Sequence, residues 1–81
     1  MGVLIMKTVK VRLSSIEAVR DFVDAVRKYD AEIDLASGRY VVDAKSIMGI
    51  FSLDLMNPIT MTVHKENCED ILDDLKAYIV D

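Results

Sequence analysis

Polar and apolar residues alternate from Lys7 to Leu13, with Val9, Val11 and Leu13 on one side and Thr8, Lys10 and Arg12 on the other. A two-residue period predicts a strand with one wet face. The apolar stretch before it, "MGVLIM", reads as part of a strand as well. The period then changes. Ile16, Val19, Phe22, Val23 and Val26 recur at threes and fours, which predicts a helix burying that stripe and leaving Glu17, Arg20, Asp21, Asp24 and Arg27 in water. Ser14 and Glu17 stand three apart at its head, the spacing of a reciprocal capping box, so the helix is expected to start at Ser14.

Ala31 to Leu35 and Arg39 to Ala44 read as two strands of a hairpin joined by "ASG", in which Gly38 takes a positive φ. Ser46 opens a short helix, "SIMGIF", with Ile50 and Leu53 on its buried side. After the turn residues "MNP", Ile59, Met61 and Val63 alternate with polar neighbours and predict a last strand. Asn67 is then expected to cap a closing helix whose apolar face is Ile71, Leu72, Leu75, Tyr78 and Ile79, with Glu66, Glu69 and Asp70 near its positive end. The order βαββαβα, with polar alternates on every strand, fits an α+β domain: a four-stranded antiparallel sheet with all three helices on one face and water on the other.

Eighty-one residues suffice for one domain and one core, 1–81, and are too few for a deep active-site cleft. The net charge of −4 argues against phosphate backbones and anionic lipid as partners, so neither nucleic acid nor membrane is expected. No apolar run is long enough to cross a bilayer, and the N-terminus lacks the basic leader and cleavage site of a secretory signal. The single cysteine, Cys68, excludes an internal disulfide and suits a reducing cytoplasm; with no base beside it in sequence, it reads as a structural thiol. The five methionines read as gap-filling or partner-facing side chains.

"KYDAEIDL" (28–35) and "AKSIMGIFSL" (44–53), at this spacing and in this order of elements, resemble HPr, the phosphocarrier family of the bacterial sugar phosphotransferase system. The resemblance implies an open-faced β-sandwich with strand order 1-4-2-3. Members of that family carry G-[IL]-H-A-R-P-A at the head of the first helix, where the histidine takes phosphate from enzyme I and the arginine stabilises it. Registered on "KYDA", this chain has "LSSIEAV" there, with Ser15 at the histidine position, Glu17 at the arginine and Ala18 at the proline. A serine ester is far more inert than a phosphoramidate, and the Glu17 carboxylate repels a phosphoryl group that a guanidinium would hold. The resemblance so modified implies an HPr-like, Crh-like member that is not an enzyme or a phosphocarrier but a regulatory, protein-binding module without cofactor or metal.

Ser46 has two compatible readings. Serine caps a short helix well; the resemblance adds that this serine is a substrate of HPr kinase and that the phosphorylated form binds a transcriptional regulator of catabolite repression. Such a charge at a helix N-terminus is tolerated, with Lys45 placed to pair with it. The resemblance further implies a docking patch at Ile47, Met48 and Phe51, joined by Arg20, with core packing the competing role for the three apolar residues. His64, the one histidine, is expected to face solvent on the last strand, apart from any phosphate-holding helix start. Two other readings stay open: a working phosphotransfer intermediate that uses His64 or Ser15, and an interaction scaffold without phosphorylation. A monomer or weak dimer fits all three.

Overall fold

The computed structural model describes residues 7–80, so the expected strand in "MGVLIM" lies outside the described residues. Its elements are β1 (Lys7–Val11), α1 (Ile16–Val26), β2 (Glu32–Ser37), β3 (Tyr40–Asp43), α2 (Ile47–Phe51), β4 (Ile59–His64) and α3 (Glu69–Asp74). The strands form one antiparallel sheet in the order β1-β4-β2-β3. Its register sets Met61 of β4 between Val9 of β1 and Leu35 of β2, and Val63 beside Ile33. These inward side chains meet Val19, Phe22, Val23 and Val26 of α1, Ile50 of α2, and Ile71 and Leu75 beyond the sheet in one apolar core. The polar alternates, among them Thr8, Lys10, Thr60 and Thr62, form the open face, where the Lys10 ammonium donates to Thr60 Oγ1 at 3.0 Å.

Several local expectations are corrected. The cap of α1 is Ser15, not Ser14: its backbone is extended and its Oγ accepts from the Ala18 amide at 3.0 Å. Ala18 therefore holds the position from which a capping box reaches back, and its methyl cannot do so; Glu17 lies one residue too early. Ile16 becomes the first helical residue and is 66% exposed, so the buried stripe begins a turn later at Val19.

The last helix also differs. Asn67 takes φ +55, a left-handed conformation that asparagine tolerates, and makes the turn before α3. The cap position passes to the buried Cys68, whose side chain makes no capping bond. The helix stops at Asp74. Leu75 to Ile79 then tighten into i→i−3 turns, Tyr78 N to Leu75 O and Ile79 N to Lys76 O, and Ile79 leaves the expected helix face to bridge Val11 of β1. Backbone bonds from Arg12 N to Tyr78 O at 2.8 Å and from Val80 N to Lys10 O at 3.0 Å complete that pairing. The Tyr78 ring packs edge-on against Phe22, with centroids 5.6 Å apart. The hairpin expectation holds with a shorter turn: Ala36 and Ser37 belong to β2, and Gly38 takes φ +59 at its tip.

Tyr29 ties the end of α1 to α3, donating its hydroxyl to the Asp74 carboxylate and, at 3.3 Å, to the Asp70 carbonyl. The Asp74 hydrogen bond, followed by desolvation and the charges of Asp74, Asp70 and Asp73, pushes this phenol up to about 12 from 10.0. A raised phenol pKa means that the folded state holds the proton more tightly than the unfolded chain. The resulting stability is complete below the unfolded value and is lost as pH rises through the folded one. Tyr78 is raised too, by burial first and then by Asp21. Tyr29→Phe is accordingly expected to flatten the alkaline fall in stability over the window from 10.0 to about 12, measured by urea unfolding at a series of pH values. An unchanged profile would show that the Asp74 bond has no thermodynamic weight.

Candidate functional site

The head of α1, the end of α2 and the loop before β4 meet around an open groove of about 480 Å³, lined chiefly by Arg12, Ser15, Ile16, Phe51, Leu55 and Met56. Three local devices hold it. Ser15 fixes the start of α1 through the Ala18 amide. Asp54 organises the loop, accepting from the Met56 amide at 3.1 Å and the Asn57 side chain at 3.2 Å, and so places Leu55 and Met56 on the wall. Ser46 caps α2, accepting from the Gly49 amide at 3.1 Å. Gly49 is needed there for its size and not for an unusual φ, because an added Cβ would stand 3.1 Å from both Ser46 Oγ and Val42 Cβ.

The expected docking residues separate by environment. Met48 is 80% exposed and Phe51 41%, whereas Ile47 packs against the core; Ile50 and Leu53 are buried, as expected. Arg20 is exposed on α1, one turn beyond Ile16 on the same face. Ile16, Phe51 and Met56, which line the groove, and Met48 of α2 are all large exposed apolar side chains. Ile16, Leu55 and Met56 were not among the expected surface residues. Their one sequence signal is that Leu55 and Met56 are large apolar residues in a turn.

Lys45 does not wait beside Ser46. Its ammonium donates to the Tyr29 carbonyl at 2.9 Å, its amide donates to Asp43 Oδ1 at 2.8 Å, and its carbonyl accepts from Arg27 at 3.2 Å. It is a strut between the end of α1 and the start of α2, and a phosphate on Ser46 would have to compete for it. His64 ends β4 on the open face, with Nε2 2.7 Å from Asp34 Oδ2, and is remote from the groove in the layered order of the fold.

A model of the family described as "PTS HPr component phosphorylation site" matches residues 8–81. The chain belongs to the HPr family. Among solved structures it is similar to that of a phosphocarrier protein HPr from Bacillus anthracis str. Ames, at 31% identity and a TM-score of 0.68, covering 98% of this chain and 100% of that one. It also shares its fold with HPr-C-His from Thermoanaerobacter tengcongensis, at 24% identity and a TM-score of 0.72, covering 90% of this chain and 88% of that one. No curated protein matches. The four-stranded sheet in the order 1-4-2-3 with three helices is the HPr fold, and HPr-family proteins are phosphocarriers that act through other proteins of the phosphotransferase system and are not enzymes. No helix among the described residues is long and apolar enough to cross a membrane.

Proposed function

We propose that this HPr-family protein works by docking and not by carrying phosphate: a cytoplasmic regulatory module whose groove and α2 surface engage protein partners and whose Ser46 is open to modification. One observation carries the reading. At the head of α1, where the family's motif would set its histidine, stands Ser15, with its oxygen already committed to the Ala18 amide and Glu17 two residues on. A hydroxyl in that bond is a helix cap, and any phosphate ester formed on it would be too inert to hand on. His64 is a poor substitute, since the Asp34 carboxylate against its ring repels a phosphoryl group.

Ser46 supports the regulatory part. It is half-buried as a residue and caps α2 beside the exposed Met48 and Phe51. A dianion added there would meet the helix N-terminus favourably and change the charge of the docking surface without unfolding the domain. The partners supported by this reading are HPr kinase and a transcriptional regulator that reads the phosphoserine.

Two phosphate donors separate the possibilities in one assay. With phosphoenolpyruvate and enzyme I, no acid-labile phosphate is expected on the chain; with ATP and an HPr kinase, one acid-stable phosphate on Ser46 is expected by mass spectrometry. An acid-labile adduct passed on to a sugar-specific acceptor would overturn the docking reading, and an unlabelled Ser46 would remove the switch.

A further inference from the structure

Glu32, Asp34 and His64 stand together on the open face of the sheet, away from Ser15 and Ser46. The register sets His64 directly opposite Glu32, and Asp34 is the next residue on that side of β2. One ligand atom from each lies within 4.8 Å of the other two. The side chains of His64 and Asp34 are 31% and 30% exposed, so the cluster is shielded in part yet reachable from solvent. Asp34 also stands opposite Asp43 of β3, and two carboxylates directly opposite one another on a strand pair are unfavourable unless a cation lies near. No lysine or arginine supplies it: among the described residues the one close contact of the Asp34 carboxylate is with the His64 ring, and the Lys10 and Lys45 ammonium groups donate to Thr60 and to the Tyr29 carbonyl.

We propose that Glu32, Asp34 and His64 form a binding site for one divalent cation of the zinc class. An imidazole nitrogen with two carboxylate oxygens suits borderline transition ions and disfavours magnesium and calcium, which take oxygen ligands. Three protein ligands leave a fourth position for water. Neutral His64 would bind the ion through the Nε2 lone pair while its proton moves to Nδ1. Ligand atoms at ~2.0–2.1 Å around a tetrahedral ion stand about 3.3 Å apart. The His64–Asp34 contact of 2.7 Å therefore opens by roughly half an ångström, a small rotation for side chains on a solvent face. The ion would tie β2 to β4, the two central strands.

Calorimetric titration of the whole chain with zinc chloride, alongside His64→Gln, Glu32→Gln and Cys68→Ser, tests this site independently of the docking reading. One zinc ion per chain is expected, with affinity lowered at least about tenfold in His64→Gln and Glu32→Gln, unchanged in Cys68→Ser, and untouched by about a tenfold excess of magnesium. Zinc should also raise the unfolding temperature of the parent chain and leave that of His64→Gln where it stands in chelator. Absence of saturable binding, equal affinity in His64→Gln, or loss only in Cys68→Ser would each overturn the assignment.

Discussion

Changing Ser15 to histidine together with Glu17 to arginine is expected to give a chain that takes phosphate from enzyme I, where the docking reading expects the parent to take none. The double change frees the Ala18 amide, now held by Ser15 Oγ at 3.0 Å, to join the other unpaired amides at the head of α1 in binding phosphoryl oxygens. It replaces a repelling carboxylate by a group with paired donors. It also weakens the helix: losing the cap costs about 1 kcal/mol, and exchanging an acid for a base in the first turn costs about 0.3–1 kcal/mol more. The variant should therefore unfold at a lower temperature than the parent while gaining acid-labile label from phosphoenolpyruvate. Equal labelling of parent and variant would remove Ser15 from the explanation.

Phe22→Ala is expected to have the largest effect on stability. Phe22 is fully buried, and its ring meets the Tyr78 ring at an interplanar angle of 87°. Truncating a buried phenylalanine costs about 3–5 kcal/mol, and the lost aromatic contact accounts for roughly 0.5–1.5 kcal/mol beyond the area it buries. A domain of this size has about 4–12 kcal/mol to lose, so the variant should be partly unfolded at moderate temperature. Because Tyr78 anchors the segment that carries Ile79 to β1, the amides of Ile79 and Val80 should exchange with solvent first. Denaturant unfolding with hydrogen exchange checks both parts; a loss under about 1 kcal/mol would mean that the Phe22 site collapses around the gap.

What the sequence reveals follows the range of the interactions. Ile59, Met61 and Val63 could be placed because each is flanked by a polar residue, and that alternation is local. Ser46 could be placed because one serine precedes one short apolar run. At α1 two serines are adjacent, and which one caps depends on how the chain leaves β1 through the buried Leu13, a packing matter that spacing cannot decide. Leu75, Tyr78 and Ile79 keep helical spacing after α3 has ended, since the competing partner of Ile79 is Val11, far away in sequence. The groove was hidden for the same reason: Ile16 looks like core until the layers are assembled. Asp34 and His64 are thirty positions apart, and only the β2–β4 register brings Glu32 and both of them together.

The bridge from Ile79 to Val11 has a further consequence for assembly. A sheet can lengthen by taking on foreign strands at either flank, and here the Tyr78–Val80 segment occupies part of the β1 flank while, among the described residues, nothing pairs with the outer side of β3, where Tyr40 and Val41 are exposed. Two copies meeting along β3 would therefore use up that flank of each, and further growth would have to proceed from the partly occupied β1 flank.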